Sequence, residues 1–256
     1  MYLSDIIIIL SRPLEAGNIG AVCRAMKNMG LSRLRIAGLS REDLAGEEGQ
    51  IRARAVHAAD VWEGAAFFDT LSAAAADCSF LAGTTRRRGQ RRKNVSIDPG
   101  ETAEWFREKP GPGALVFGNE RTGLEDGELA LCNIASHIPA SPSFPSLNLS
   151  HAVQIYAYEL FRSLGQPDGK GRRGSGPVKG AWVPLSRTET DALTAAIAAN
   201  LESLGFYRHP GREEQAVFIR DLISRAALSQ REGKYLAAIF AKAAALVKKT
   251  RGRSGA

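Results

Sequence analysis

Two short segments place polar side chains directly beside apolar runs, and these side chains are the strongest candidates for chemistry in the chain. Gly118-Asn119-Glu120 follows the apolar run Leu115–Phe117. Ser146-Leu147-Asn148 stands immediately before the apolar positions of a helical pattern. Because a buried polar group without a partner costs about 1–3 kcal/mol, such residues need a hydrogen bond or a ligand. We therefore predict two loops that close on one ligand.

A third candidate is the segment Gly17-Asn18-Ile19-Gly20, which is followed by Arg24. Glycines at a strand-to-helix turn allow the backbone to approach a ligand closely. Arg24 stands one helical turn after Gly20, so its guanidinium can return to the same loop. Taken alone, the segment is better explained as a turn followed by a solvated arginine.

The most basic stretch of the chain follows Gly83-Thr84-Thr85 and puts six positive charges within eight positions. These residues are Arg86, Arg87, Arg88, Arg91, Arg92 and Lys93. Like charges repel, so this stretch is not expected in a core. A solvated surface is the simpler interpretation, but the stretch leaves directly from a predicted strand end beside the candidate loops. We therefore favour contact with a polyanion, which the net charge of +7 also favours.

Several other chemistries are disfavoured by the motifs that the chain lacks. It has no GxxxxGK[ST] phosphate loop, and no GxGxxG follows a predicted strand. The four histidines have no metal-ligand spacing, so no metal site is predicted. Neither Ser146 nor Ser150 stands in a GxSxG elbow, which disfavours a serine hydrolase.

Short apolar runs alternate with helical patterns up to about residue 165, which predicts an α/β domain with a mainly parallel sheet. Strands are predicted at residues 6–10, 34–37, 80–82, 115–117 and 134–138, with a further strand beginning at Val61-Trp62. Helices are predicted from Ile19 to Gly30, over 49–59, and from Leu147 to Leu164. Ligands of such sheets bind beyond the carboxyl ends of the strands, where the candidate loops fall.

The composition changes after residue 165 and divides the chain. Residues 1–165 form the predicted α/β domain, and the Gly- and Arg-rich residues 166–183 are predicted to be a flexible linker. Residues 184–256 are predicted to be a small helical extension with a basic tail. Two capping-box patterns, Ser186 to Glu189 and Ser229 to Glu232, mark the starts of helices there.

The cysteines and the N-terminal apolar run indicate the compartment. The three cysteines are far apart and form no CxxC pair, which fits a reducing environment. The run Ile6–Leu10 is too short to span a membrane and lacks a basic leader. We therefore expect a cytoplasmic protein without a membrane partner.

Taken together and in order, these segments resemble the SPOUT class of RNA methyltransferases, in the TrmH-like subgroup that methylates ribose 2′-hydroxyls. Asn18-Ile19-Gly20 with Arg24 resembles the first motif of the class. Residues 117–124 resemble the second motif, and Ile138-Pro139 through Asn148 resemble the third. The whole chain is also similar to the TrmJ-like branch, which methylates tRNA cytidine and uridine in the anticodon loop.

The resemblance implies S-adenosylmethionine as the methyl donor, held by three loops. Its binding residues would be Thr84, Thr85, Arg86, Gly118, Ile138, Ser146, Leu147 and Asn148. The RNA would be bound by Asn18 and Arg24 together with the basic residues of the 86–93 stretch. The resemblance also implies a C-terminal trefoil knot in the sheet domain and a homodimer with both active sites near the interface. Periodicity alone does not indicate a knot.

The residue chemistry suggests roles within such a site. Methyl transfer to a neutral hydroxyl requires proton removal and in-line alignment. We place Arg24 at the hydroxyl, either as a base or, because guanidinium keeps its proton, to position phosphate or stabilise the alkoxide. Ser146 and Asn148 can orient the hydroxyl and the donor, and Glu120 can fix Arg24 or a loop amide. No metal is required.

The predicted function is tRNA 2′-O-methylation of cytidine or uridine at nucleotide 32. Two features depart from that branch: Asn119 often has a basic counterpart there, and Arg86-Arg87-Arg88 is more basic than the branch's usual loop. Two alternatives therefore stay open, a ribosomal RNA ribose methyltransferase of the same fold and a catalytically inactive RNA-binding module.

Overall fold

The computed structural model describes residues 1–86, 96–165, 183–207 and 212–253. The described chain separates into two compact units, residues 1–179 and 180–256. The predicted linker falls almost entirely on residues 166–182, which lie outside the described ranges. None of the described helices is long and apolar enough to cross a membrane.

A seven-stranded sheet forms the centre of the first unit. Its strands are β1 (Ile6–Ser11), β2 (Arg33–Ala37), β3 (Ala66–Phe68), β4 (Phe80–Thr84), β5 (Ser96–Ile97), β6 (Gly113–Phe117) and β7 (Ile134–Ser136). They lie in the order β3-β2-β1-β6-β4-β7-β5, and each of the six pairings is parallel. The prediction of a mainly parallel α/β sheet is confirmed.

The sheet is covered on both faces, which explains why its central strands are continuous apolar runs rather than alternating ones. All six residues of β1 and all five of β6 are buried. The neighbouring strand β4 is buried from Phe80 to Gly83. Such strands can be predicted from the sequence because an amphipathic helix would interrupt the apolar run with polar residues.

The described helices of the first unit lie between its strands or follow the last one. They are α1 (Ala16–Asn28), α2 (Glu48–Ala55), α3 (Ala59–Glu63), α4 (Leu71–Ala74), α5 (Pro99–Arg107), α6 (Asp126–Leu131) and α7 (Leu149–Leu160). Short 3₁₀ turns span Leu3–Asp5, Glu42–Glu47 and Val56–Ala58, and a π-helical turn at Phe161–Gly165 follows α7. Helices α1 and α2 touch at Gly20, where an added Cβ would lie 2.1 Å from the carbonyl oxygen of Ile51.

The strand predicted to begin at Val61-Trp62 is wrong. Both residues lie in α3, and the strand begins later, at Ala66. Val61 and Trp62 are nearly fully buried, and a buried helical pair has the same apolar signature as a short buried strand. The predicted strand at 134–138 is also shorter than expected, because it ends at Ser136.

The second unit is a group of three helices, α8 (Arg187–Ser203), α9 (Arg212–Ala226) and α10 (Gln230–Arg253). Their core contains Leu185, Leu193, Ile197 and Ile223. Both predicted capping boxes are present. The Glu189 N–H donates to Ser186 Oγ at 3.3 Å, and the Glu232 N–H donates to Ser229 Oγ at the same distance.

Candidate methyltransferase site

A cleft opens at the carboxyl ends of β4 and β6, where the sheet order places neighbouring strands. Residues 84–86 and 117–124 form part of its wall. The loop after β7 and the start of α7 complete it with Ile138, residues 145–147, Leu149, Ala152 and Tyr156. The cleft has a cavity volume of about 140 Å³ and is open to solvent at its mouth.

The inner side of the cleft is lined by two buried aromatic side chains. Phe117 and Tyr156 are almost fully buried and pack edge to face with their ring centroids 5.7 Å apart. The Tyr156 hydroxyl donates to Ser136 Oγ at 2.7 Å. Burial raises the pKa of Tyr156, so the phenol stays neutral at physiological pH. This wall suits a flat, largely apolar ligand group.

The loop after β6 is folded by its own polar groups. Asn119 Oδ1 accepts hydrogen bonds from the N–H groups of Arg121 (3.0 Å) and Thr122 (2.8 Å). At Gly118 an added Cβ would lie 2.0 Å from the carbonyl carbon of Gly123, so only glycine fits. The Asn119 side chain therefore shapes the loop.

A relay of hydrogen bonds joins all three motif segments. Glu120 accepts the backbone N–H of Leu14 at 2.8 Å and the side-chain Nδ2 of Asn18 at 2.9 Å. Asn18 Oδ1 in turn accepts from Asn148 Nδ2 at 2.9 Å. Asn148 Oδ1 accepts the Ser150 N–H at 2.9 Å and so caps α7. The relay ties the start of α1 to the cleft loop and to the start of α7.

The orientation of both amides in this relay follows from chemistry. A carboxylate only accepts hydrogen bonds, so the Asn18 group that faces Glu120 must be its NH₂. Asn18 therefore presents its oxygen to Asn148, and Asn148 must donate from its own NH₂. The Ser150 N–H independently requires the Asn148 oxygen on the opposite side. One donor hydrogen of Asn148 has no place in the relay and is available to a ligand.

The end of β4 is fixed by contacts with its neighbours in the sheet. Thr84 Oγ1 donates to the Val116 carbonyl at 2.9 Å, and the Thr85 N–H donates to the Ser136 carbonyl at 2.8 Å. Arg86 then stands at the cleft wall. The remaining basic residues of this stretch, Arg87, Arg88, Arg91, Arg92 and Lys93, lie outside the described residues.

Comparison of the sequence with known protein families identifies the family of this chain. The SpoU rRNA methylase family matches residues 5–158, which include all three motif segments. The chain belongs to the SpoU methylase family. The predicted resemblance to SPOUT-class ribose methyltransferases is thereby confirmed, and so, at the level of the family, is the predicted class of enzyme, an RNA methyltransferase.

Individual relatives extend the match beyond the sheet unit. The tRNA (cytidine/uridine/adenosine-2′-O-)-methyltransferase TrmJ of Pseudomonas aeruginosa is 33% identical over 245 residues, covering 93% of each chain. The tRNA (cytidine-2′-O-)-methyltransferase TrmJ of Methanocaldococcus jannaschii is 37% identical over 156 residues, or 60% of this chain and 66% of that relative. The crystal structure of TrmJ from Zymomonas mobilis superposes with a TM-score of 0.74 at 28% identity, covering 92% of this chain and 97% of the other.

Coverage differs among these relatives. An uncharacterised tRNA/rRNA methyltransferase of Haemophilus influenzae is 39% identical, but the match spans only 63% of its length. The chain thus spans about two thirds of several SpoU relatives and nearly all of the Pseudomonas enzyme. The sheet unit is the shared part.

Within this SpoU methylase, eight of the predicted site residues come together. Thr84, Thr85, Arg86, Gly118, Glu120, Ile138, Ser146 and Leu147 all line the cleft. Asn148 is not among the lining residues and reaches the site through the relay. Asn18 is 92% buried and both of its amide hydrogens meet carboxylates, so its predicted contact with RNA would need rearrangement.

Arg24 is the predicted site residue that the structure leaves apart. It is exposed on α1 and is not among the residues that line the cleft of its own chain. It lies six residues beyond Asn18, which is about 9 Å along the helix axis. Glu120 contacts the amides of Leu14 and Asn18 rather than Arg24, so of the two roles predicted for Glu120 the structure supports the loop amide.

Arg12 is a site-supporting residue that the sequence reasoning missed. It has φ +53° directly before Pro13, a strained position for a residue that is not glycine. Its guanidinium holds this conformation by pairing with Glu125 at 2.5 Å and with Glu128 at 2.6 Å. Burial alone would raise the pKa of Glu128, but hydrogen bonds from Ser11 and Arg12 lower it. Two residues after Arg12, the Leu14 N–H donates to Glu120.

Other cleft residues that were not predicted share a spacing that is visible in the sequence. Leu149, Ala152 and Tyr156 are spaced three and four residues apart, so they share one face of α7. The cysteines, by contrast, have no place in the chemistry. Cys23, Cys78 and Cys132 are buried, and burial raises the pKa of Cys23 and of Cys78 to about 12. No group of residues suited to hold a metal ion occurs in the described ranges.

Proposed function

We propose that this SpoU methylase transfers a methyl group from S-adenosylmethionine to a ribose 2′-hydroxyl of tRNA. The target would be cytidine or uridine at nucleotide 32 of the anticodon loop. The observation that carries this proposal is the convergence of three motif segments on one cleft through the Glu120–Asn18–Asn148 relay. Similarity to TrmJ enzymes over nearly the whole chain supports tRNA as the substrate.

The cleft suits the methyl donor in its chemistry. An adenosyl group has apolar faces and polar edges, and the cleft combines the buried rings of Phe117 and Tyr156 with a rim of backbone and hydroxyl groups. Thr84, Thr85, Arg86, Gly118, Ile138, Ser146, Leu147 and Asn148 would hold the donor. When bound, it supplies an electrophilic methyl group on a sulfonium centre.

The chain's own residues would position the ribose. Asn148 has one donor hydrogen that the relay does not use. The hydrogen bonds to Asn18 and Ser150 hold the amide in one orientation, so this hydrogen points in a fixed direction. Ser146 is exposed at the cleft wall and can hydrogen-bond the hydroxyl or the donor. A fixed hydroxyl geometry favours in-line attack. Glu120 acts indirectly, by fixing Asn18.

RNA binding would use the basic stretch that begins at Arg86 and the helical unit. Backbone phosphates attract such stretches strongly because counterions are released on binding. We further propose a homodimer and a trefoil knot at the C-terminal end of the sheet unit, as the family resemblance implies. The exposure of Arg24, away from the cleft of its own chain, agrees with an active site near a dimer interface.

A ribosomal RNA ribose methyltransferase is the second candidate. The matching family carries rRNA in its description, and the donor cleft would serve either RNA equally well. The two functions differ only in the RNA that the basic stretch and the helical unit select.

Mapping of 2′-O-methyl sites on total RNA tests the proposal. Unmodified RNA would be incubated with the protein and isotopically labelled S-adenosylmethionine, and labelled ribose positions then located by sequencing. We expect label at nucleotide 32 of tRNA and none with an Asn148→Ala variant. Label in ribosomal RNA would establish the second candidate instead, and no label in any RNA would indicate an inactive RNA-binding module.

A further inference from the structure

Phe144 is the most exposed large apolar side chain that the structure describes. Its relative exposure is 79%, whereas Phe117 and Tyr156 in the cleft wall are exposed by only 2% and 1%. A single exposed apolar side chain is ordinary on a protein surface and assigns no role by itself. The backbone, the position and the charged surroundings of Phe144 must therefore decide whether its ring has a ligand.

The backbone holds Phe144 at the end of a stiff turn. The Phe144 N–H donates to the Ser141 carbonyl at 3.1 Å and closes a four-residue turn. Pro142 stands at the second position of this turn, where proline is favoured because its φ is already set. The hydroxyls of Ser141 and Ser143 are hydrogen-bonded at 2.8 Å, and Pro145 restricts the backbone of Phe144 from the other side. Ordering the Phe144 backbone on a ligand therefore costs little entropy.

The position of Phe144 is the rim of the cleft. Phe144 directly precedes Pro145, Ser146 and Leu147, which all line the cleft. Consecutive Cα atoms lie about 3.8 Å apart, so Phe144 stands next to the lining. Residues 139–148 are all exposed, so this part of the rim is open to a ligand.

The charged groups of the cleft favour an anionic ligand beside this ring. Arg86 and Arg121 line the cleft, and Glu120 is the one carboxylate among its described lining residues. Glu120 already accepts from the Leu14 N–H and the Asn18 amide. Arginines beside an exposed aromatic ring are the usual means of binding single-stranded nucleic acid, because the cations attract phosphates and the ring stacks on a base.

The proposed reaction brings a base to the same rim. The ribose whose hydroxyl takes the methyl group must reach the mouth of the cleft. The base is bonded to that ribose, and the methyl donor would occupy the cleft itself. The base of the target nucleotide must therefore lie beside the mouth, where Phe144 stands.

We propose that the Phe144 ring stacks on the base of the target nucleotide, an assignment that rests on the proposed function. Stacking uses the face of the base and not its hydrogen-bonding edge, so it tolerates different bases. A contact of this kind holds cytosine and uracil alike. Phe144 is thus a substrate-binding residue that fixes the base while its ribose lies at the cleft.

A binding experiment with abasic RNA tests the stacking. Anticodon stem-loop RNAs with cytidine, uridine or an abasic ribose at the target nucleotide would be titrated in the presence of S-adenosylhomocysteine. Wild type should bind the cytidine and uridine RNAs about tenfold more tightly than the abasic RNA. Phe144→Ala should bind all three with equal affinity. Phe144→Trp should keep the preference, and Phe144→Leu should lose most of it because leucine is apolar but has no ring.

Tyr2→Ala is the matched control for this experiment. Tyr2 is also an exposed aromatic residue, with 62% exposure, but it precedes β1 and so lies at the edge of the sheet opposite the carboxyl ends of the strands. This variant should keep the wild-type preference for a base. The affinity of Phe144→Ala for S-adenosylhomocysteine, measured by calorimetry, and its oligomeric state, measured by light scattering, should equal those of wild type.

The outcomes separate this proposal from the proposed function. If wild type methylates tRNA but binds the abasic RNA as tightly as the others, the role of Phe144 alone is overturned. The same holds if Phe144→Ala or Phe144→Leu keeps the full preference. A matching fall in donor affinity would show that the ring covers the donor, and a change of oligomeric state would show that it packs against a second copy of the chain; either result would overturn the stacking role. Absence of methylation by wild type would overturn the proposed function as well.

Discussion

The sheet unit and the helical unit use polar side chains over different ranges of the sequence. In the helical unit, Ser186 and Glu189 satisfy each other's backbone groups across three residues, at the start of a helix. In the sheet unit, Asn18 binds Glu120 across 102 residues and Asn148 across 130 residues. The capping box fixes the start of its own helix and reaches α10 through Gln230, 41 residues away, whereas the relay joins segments more than 100 residues apart at a cleft.

This difference supports the proposed location of the chemistry in the sheet unit. A local capping box stabilises a helix wherever that helix is placed, so it carries no information about a ligand. A long-range polar relay holds side chains in one orientation and demands that every member be satisfied. Such a relay is expected where a fixed arrangement of polar groups is needed, as at an active site. Among the described residues of the helical unit, polar contacts between helices span fewer residues, as between Gln230 and Glu189 across 41 residues.

Removing Glu120 should have the largest effect on the rate of methyl transfer, because it breaks the relay of the sheet unit. Glu120→Ala leaves the buried Asn18 amide with one acceptor fewer, which should lower the free energy of unfolding by about 1–3 kcal/mol. The orientation of Asn148 is then no longer enforced, and displacement of a positioned group by about 1 Å can cost 100-fold in rate. Single-turnover methyl transfer at saturating donor would measure the loss, with Glu47→Ala as the control. A wild-type rate would show that the relay is not used in catalysis.

Deleting residues 184–256 should separate the two units by function. We expect tRNA affinity to fall about tenfold or more, because phosphate contacts contribute strongly to affinity, while donor affinity stays unchanged. Filter binding of tRNA and calorimetric titration of the donor would give the two values, and a thermal melt would check that the sheet unit stays folded. Equal losses in both affinities would contradict the division of labour.

The smallest effect is expected at the helical cap. Ser186→Ala removes the side-chain acceptor for the Glu189 N–H and should cost about 1 kcal/mol in unfolding free energy. The rate of methyl transfer should not change. Chemical denaturation and the same single-turnover assay would measure both quantities. A rate loss larger than the stability loss would show that the start of α8 takes part in the reaction.

The fold was predictable from the sequence where burial is continuous. Strands β1 and β6 are runs of consecutive apolar residues that no amphipathic helix would show, and they were predicted correctly. Val61-Trp62 was not, because two buried residues of a short helix have no period that marks them as helical. The capping boxes of α8 and α10 were correct because they are local motifs.

The site was predictable only in part. The residues that line the cleft stand in recognisable motif segments, and the loops that carry them follow strand ends. The partner of Glu120 was not predictable, since contact with Asn18 depends on which strands become neighbours. Nor does any local pattern indicate the positive φ of Arg12, which the distant carboxylates of Glu125 and Glu128 stabilise. The assigned roles in donor and RNA binding stay predictions.

The most direct test of the central claim is a crystal structure of the full chain with S-adenosylhomocysteine. We predict that the ligand lies in the cleft between residues 84–86, the loop after Phe117 and the segment from Ile138 to Leu147, with its adenine beside the apolar wall. The Glu120–Asn18–Asn148 hydrogen bonds should be retained beside it. Density for the ligand elsewhere on the protein, or failure to bind at saturating concentration, would contradict the claim that these three segments form a methyl-donor site.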